Sequence, residues 1–252
     1  DDRRLGCRHQ RRPGRAPEHE RRRHRRRLRR RPGRDYAAEI EGYLHGTGVA
    51  HTMQIARAIK RRKLDFTWFA SACVNQVDKP LLQAFRDAGC WAILFGAESG
   101  VQKNLNTIRK GTTLDQIRRA VKAAQEVGIR VSTPFLFGIP GETVEEGLQT
   151  IDFALDLNPD IANFHAITPF PGTELYDNLD QYGTISDELS DFTYQGAAFI
   201  PFTMTREEIL QLRQIAFKRF YSRPSFLLKR LLELKSPHDF MIALKSLRSL
   251  FH

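Results

Sequence analysis

The sequence is short of cysteine, with three in 252 residues: Cys7, Cys73 and Cys90. They are odd in number and far apart, which speaks against a disulfide framework and for a reducing, cytoplasmic setting. Long apolar runs are missing as well. No stretch approaches the ~18 residues of a membrane span, and the first residues are charged, so no secretory signal peptide is expected. Residues 1–34 are poorer still. They contain no Lys, Ile, Val, Phe or Tyr, and Leu28 is the one large aliphatic residue of their second half. Such a stretch cannot bury enough surface to offset the entropy of ordering, and it reads as disordered.

What it holds instead is arginine. Residues 1–34 carry 16 Arg against four acids, a net of +12. Residues 35–252 carry 24 basic residues and 25 acids, a net of −1, so the formal charge of +11 belongs to the first 34 residues. Two readings of that segment are open. One is an arm that neutralises the phosphates of a polyanion; the other is a non-native segment translated out of frame, given the abrupt change of texture at Asp35.

From Asp35 onward, amphipathic stretches alternate with short apolar ones. Helices are expected at 36–45, 52–62, 79–88, 114–127 and 144–157. The clearest is 114–127, where Ile117, Ala120, Val121, Ala124 and Val127 recur at helical spacing. Strands are expected at 65–70, 91–96, 131–138 and 161–167; their lack of in/out alternation is that of parallel strands covered on both faces. Thr113 with Gln116, Thr143 with Glu146, Thr205 with Glu208 and Ser236 with Asp239 have capping-box spacing. After about residue 185 strand signals fade, and helices follow at 205–221, 224–234 and 237–250. In 224–234, Leu227, Leu228, Leu231 and Leu232 share one helix face, expected to dock on the barrel or on a domain lost from this chain. The fold class is α/β: a partial TIM-like (βα) barrel of parallel strands followed by C-terminal helices. The expected division is 1–34 disordered, 35–200 incomplete barrel, and 201–252 helical.

Four segments fall at the C-terminal ends of expected strands, where such barrels carry their chemistry. In FGAESG (95–100), Glu98 follows a strand directly, flanked by Gly96 and Gly100; a carboxylate there pairs with an ammonium or accepts from a ribose hydroxyl. In FGIPGET (137–143), glycines and Pro140 make a tight turn, Thr143 caps the next helix, and the free N–H groups of that helix are offered to an anion. TPFPGTELYD (168–177) is turn-rich. FASACVNQVD (69–78) places Ser71, Cys73 and Asn75 near a site. The bland readings are a solvated turn acid for Glu98, a buried thiol for Cys73 and a core imidazole for His165.

Taken in order with RKGTT (109–113), these motifs resemble the radical S-adenosylmethionine (SAM) superfamily, especially its enzymes with a cobalamin-binding domain. The resemblance covers about residues 36–200. It implies a partial (βα)6 barrel in which SAM lies across the strand ends and chelates the open iron of a [4Fe–4S] cluster; reductive cleavage then yields a 5′-deoxyadenosyl radical. It also implies site roles. Glu98, with Gly96 and Ser99 in the same loop, holds the amino group or ribose, and Lys110 reaches the carboxylate. Phe137, Gly138, Ile139 and Pro140 pack along the adenine, and Thr168, Pro169 and Phe170 form the end of the family's sixth strand. Cobalamin is implied as a second cofactor, and the small-molecule substrate is left open.

The sequence departs from this family in three places. The C-x-x-x-C-x-x-C motif whose thiolates hold the cluster is absent. TGVAH (47–51) runs straight into the helix MQIARAIKRR (53–62), so the family's second strand is expected to be missing. Cys73 stands where relatives carry an arginine. The expectation is therefore a fragment of a radical SAM catalytic domain, inactive by itself, from which truncation or a frameshift has removed the cluster cysteines. The alternative is a non-catalytic barrel remnant whose arginine arm binds nucleic acid.

Overall fold

The computed structural model describes residues 42–43, 49–193 and 196–233. Five parallel strands form one sheet in chain order: β1 (Gly42–Tyr43), β2 (Trp68–Ala72), β3 (Cys90–Phe95), β4 (Arg130–Phe137) and β5 (Ile161–Ala166). Helices α1 (Val49–Arg61), α2 (Lys79–Asp87), α3 (Gln102–Thr107) with α4 (Leu114–Glu126), and α5 (Val144–Leu157) make the crossovers. This is the expected partial barrel. Beyond β5 come two single-turn helices, α6 (Glu174–Asp177) and α7 (Leu179–Tyr182), and an antiparallel pair, β6 (Gly183–Ile185) and β7 (Phe199–Pro201). Helices α8 (Arg206–Tyr221) and α9 (Pro224–Glu233) follow. The expected helix 237–250, with its Ser236/Asp239 cap, lies outside the described residues.

Local chemistry sets the helix starts. Thr113, Thr143 and Thr205 each accept from the backbone N–H three residues on, while Gln116, Glu146 and Glu208 reach back to the cap N–H. Each box satisfies two otherwise orphaned donors, worth about 1 kcal/mol apiece. Asp78 caps α2 through the Leu81 N–H at 2.8 Å. Asn158 ends α5 in the left-handed conformation, which a short polar side chain tolerates.

Three expectations need correction. The strands are not covered equally on both faces, for burial alternates along β5 and the second half of β4. The face carrying Ile93, Phe95, Phe135, Phe137 and Phe164 is sealed under the helices. The other, carrying Ser71, Leu94, Pro134, Leu136, Asn163 and His165, is half-buried. Window 36–45 is not wholly helical: Gly42–Tyr43 pair with Ala70–Ser71, so a rudimentary strand stands where none was expected. Gly42 disfavours helix there, and the edge of β2 offers backbone partners. Finally, β6 and β7 were missed because three-residue strands carry no periodicity. Their pairing brings the residue-200 boundary inside β7, and α8 beyond it buries Ile209, Leu212, Ala216 and Phe220 in the barrel's own core.

Helix α8 also covers the outer edge of β5. The Tyr221 hydroxyl donates to the Ala162 carbonyl at 2.7 Å and accepts from the Ala162 N–H at 3.2 Å. The Arg213 guanidinium donates to the Phe164 carbonyl at 3.2 Å. Side chains thus do for this edge what a further strand would do. In α9, Phe226 packs on Phe220 and Tyr221. Leu228, Leu231 and Leu232, on the expected docking face, are exposed and so do not pack on the described part of the barrel.

Candidate functional site

The loops after β3, β4 and β5 share the C-terminal end of the sheet. Glu98 is the pivot of the first. Its φ is +62°, unusual for a residue with a Cβ. The conformation is held from both sides: the Glu98 N–H donates to the Pro134 carbonyl at 3.0 Å, and its own carbonyl accepts from the Leu136 N–H at 2.7 Å. The loop is thereby stitched to β4 by one parallel bridge at Phe135. The Glu98 carboxylate turns back over Gly96 to Lys110, with Nζ 2.7 Å from Oε1. A Cβ on Gly96 would come within 2.6 Å of that Nζ and closer still to the carboxylate. The pair is 15% and 26% exposed, sheltered but reachable from solvent.

Next to it, Arg109 reaches across to the loop after β5 and grips Glu174 bidentately at 2.6 and 2.8 Å. RKGTT thus ties the first loop to the third through adjacent cations. In the third loop Thr168 is half-buried, Pro169 buried and Phe170 65% exposed.

The second loop departs from expectation. Its turn holds an anion of the chain's own: Glu142 Oε2 accepts from the N–H groups of Gly138 and Ile139, at 2.7 and 3.1 Å. Its Oε1 accepts from Asn104 Nδ2 at 3.1 Å. Glu142 is fully buried, and burial pushes its carboxyl up to about 7 against the pull of those N–H groups. From outside, Lys103 Nζ donates to the Gly141 carbonyl at 2.9 Å and pairs with Glu146 at 2.6 Å. The side chains of Phe137 and Ile139 are fully buried, Phe137 stacked on Phe164, so they present no side-chain face to an adenine. Gly138, at φ +81°, lies against Ile209 and Pro201. What this turn has left to offer is backbone and the half-buried Pro140.

Ser99 likewise serves inward. It is fully buried, bonded to the Thr150 hydroxyl at 3.1 Å, and accepts from the Val101 N–H at 3.1 Å and from Asn104 Nδ2 at 3.3 Å. The expected ligand contact through this hydroxyl is therefore replaced by a bridge between the first loop and α5. Glu142, Asn104 and Thr150 were not expected at the site. An acid three or four residues after two glycine-turn N–H groups was the signal available for Glu142.

Among the described residues, no group of three or more His, Cys, Asp or Glu side chains is placed to hold a metal ion. Cys73, half-buried and in no disulfide, opens the 3₁₀ turn Val74–Gln76. Cys90 is fully buried in β3, its thiol pushed up to about 12 by desolvation. A cluster takes thiolates at one loop, so these residues do not fit one. At the rim, the Glu98 carboxylate and Lys110 ammonium close over Gly96 where a Cβ would stand, and they are the charge types that the polar end of SAM pairs with. Among the described residues, no helix is long and apolar enough to cross a membrane.

Parallel strands joined by helical crossovers, with a charged rim at the strand ends, define a partial (βα) barrel. A profile of the Radical SAM superfamily matches residues 21–154, more than half of the sequence, and the chain belongs to that superfamily. It is 35% identical over 195 residues to an uncharacterized methyltransferase of Pyrococcus horikoshii, covering 75% of this chain and 41% of that protein. It is 29% identical over 182 residues to the anaerobic magnesium-protoporphyrin IX monomethyl ester cyclase of Rubrivivax gelatinosus, covering 69% and 32%. The chain thus spans less than half the length of either relative. The radical SAM methyltransferase TsrM of Kitasatospora setae, solved with tryptophan and a SAM analogue, shares the fold. It aligns with a TM-score of 0.53 at 19% identity, covering 70% of this chain and 41% of that one.

Proposed function

We propose that this chain is part of a radical SAM enzyme and that its Gly96–Glu98–Lys110 rim receives the polar end of SAM. One observation carries the reading: an acid held at positive φ is aimed over a glycine at a lysine 2.7 Å away, at the mouth of a half-open barrel. In this role Glu98 accepts from the ligand's ammonium or ribose, and Lys110 meets its carboxylate. The backbone of Gly138 to Pro140 runs along the adenine, with Thr168, Pro169 and Phe170 bounding the far side. When bound to a reducing cluster, SAM supplies a sulfonium whose cleavage starts radical chemistry. The names of the relatives, a methyltransferase and a cyclase, support methyl transfer or ring formation on a small molecule as the outcome in a whole protein. Cobalamin is supported by the motif resemblance alone.

Within this chain we infer that SAM is bound without being cleaved, since the sequence carries no C-x-x-x-C-x-x-C motif and, among the described residues, no set of thiols is in place for a cluster. Calorimetric titration with SAM tests the site. A charge-assisted hydrogen bond contributes about 1.5–3 kcal/mol, so Glu98→Gln should weaken binding roughly ten- to hundred-fold; unchanged affinity would refute the placement. The missing thiolate set also favours a second reading, a non-catalytic barrel with a polyanion-binding arm at residues 1–34. Under it, deleting those residues abolishes salt-sensitive binding to DNA or heparin, while Glu98→Gln changes nothing.

A further inference from the structure

We propose that Glu142 is a positioning residue: its carboxylate sets the Gly138–Gly141 turn, and its protonation, coupled to rotation of the Asn104 amide, loosens that turn and weakens ligand binding there. The ligand half of this statement rests on the SAM reading above; the turn half does not.

Both carboxylate oxygens are in use. Oε2 takes the N–H groups of Gly138 and Ile139, and Oε1 takes Asn104 Nδ2. The charged groups facing this carboxylate are Glu146 of α5, which favours the proton, and Lys103 of α3, which opposes it. Desolvation outweighs the donors and leaves the group poised near neutrality, at about 7.

A neutral acid there needs an acceptor for its new proton. Asn104 Nδ2, a donor, faces the wrong way for that. The same fully buried side chain carries an acceptor, Oδ1, that has no hydrogen-bond partner. A half-turn of the amide brings Oδ1 to Glu142 Oε1. Ser99, which now accepts from Asn104, then donates to that oxygen, and its bond with Thr150 serves in either direction. The rotated network gives the proton an acceptor without setting donor against donor, while Asn104 Nδ2 moves to where Oδ1 now lies without a partner. The difference falls on the turn, because a neutral acid accepts from the Gly138 and Ile139 N–H groups more weakly than a carboxylate does.

The test uses the full chain, labelled with 15N, between pH 6 and pH 8. The Gly138 and Ile139 amide resonances should titrate together with a midpoint near pH 7. The calorimetric affinity for SAM should fall up to about tenfold from pH 8 to pH 6 with that midpoint. In Glu142→Gln, whose carboxamide imitates the neutral acid, both dependences should vanish and affinity should stay at its acid-side value. Should that variant not fold, Glu146→Gln keeps a capping-box acceptor, removes the negative charge that favours the proton, and must move the midpoint downward. Amides that do not titrate in the parent, or that still titrate in Glu142→Gln, overturn the proposal. Titrating amides in a chain that binds no SAM at any pH overturn the ligand half, and the site reading with it, and uphold the turn half.

Discussion

Gly96 and Gly100 lie four residues apart in one loop, and alanine should act on them in opposite ways. Neither has a positive φ, so a Cβ brings no backbone strain at either. At Gly100 it would meet the Cβ of Phe153 at 2.5 Å and the Cα of Thr150 at 2.8 Å, in a core that cannot yield. Overpacking of that kind costs about 1–3 kcal/mol. At Gly96 the Cβ would meet the far ends of Glu98 and Lys110, which are flexible and can swing into solvent. The stability lost is that of a partly exposed ion pair, about 1 kcal/mol or less, offset by the smaller unfolded-state entropy of alanine, about 0.4–1 kcal/mol. Gly96→Ala should therefore unfold in urea near the parent's midpoint, and Gly100→Ala well below it. Affinity should follow another order. Gly96→Ala dismantles the rim and should lose about 1.5–3 kcal/mol of SAM binding, roughly ten- to hundred-fold. Refutation would be a Gly96→Ala variant that binds SAM like the parent, or one destabilised as much as Gly100→Ala.

Tyr221→Phe removes a hydroxyl that both donates to and accepts from Ala162. It should cost about 1–3 kcal/mol in urea unfolding; no change would mean that solvent satisfies the β5 edge. The pH dependence of stability should carry the sign of Glu142. A carboxyl raised from 4.5 to about 7 holds its proton longer in the folded chain than in the unfolded one. Stability therefore falls as pH rises from 4.5 to about 7, by about 3 kcal/mol from this group, and Glu142→Gln should flatten that interval. Anaerobic reconstitution with iron and sulfide should give no stoichiometric cluster absorbance. A full cluster that survives Cys73→Ala with Cys90→Ala would show that other ligands suffice.

Much of the fold was legible because its signals are local. Ile117, Ala120, Val121 and Ala124 recur at helical spacing, and all are buried. The Thr113, Thr143 and Thr205 boxes marked three starts to within a residue. The strands at 91–96, 131–138 and 161–167 were displaced by one residue at most. The strand expected at 65–70 runs from Trp68 to Ala72 instead. Its ends are set by pairing with Cys90 through Phe95, and Ser71 and Ala72 have no strand propensity to announce it. Gly42–Tyr43, β6 and β7 are likewise products of pairing between distant segments, which a window along the chain does not contain.

The site divides along the same line. Glu98, Lys110 and Gly96 were legible as motif residues, and the fold brings them together through a contact twelve residues apart. Ser99, Phe137 and Ile139 stand in the same motifs, yet their side chains face inward. Motif membership reports which loop a residue belongs to; the direction of its side chain depends on what the neighbouring loop leaves uncovered. The turn after β4 makes this concrete. The sequence pointed to the N–H groups of the helix that follows; the turn itself proves to be a cradle, and the anion in it is the chain's own Glu142. A carboxylate buried there competes with any external anion for Gly138 and Ile139, so a ligand is left with the turn's backbone edge and Pro140. Under the proposed SAM reading, recognition of charge then falls to Glu98 and Lys110 at the rim.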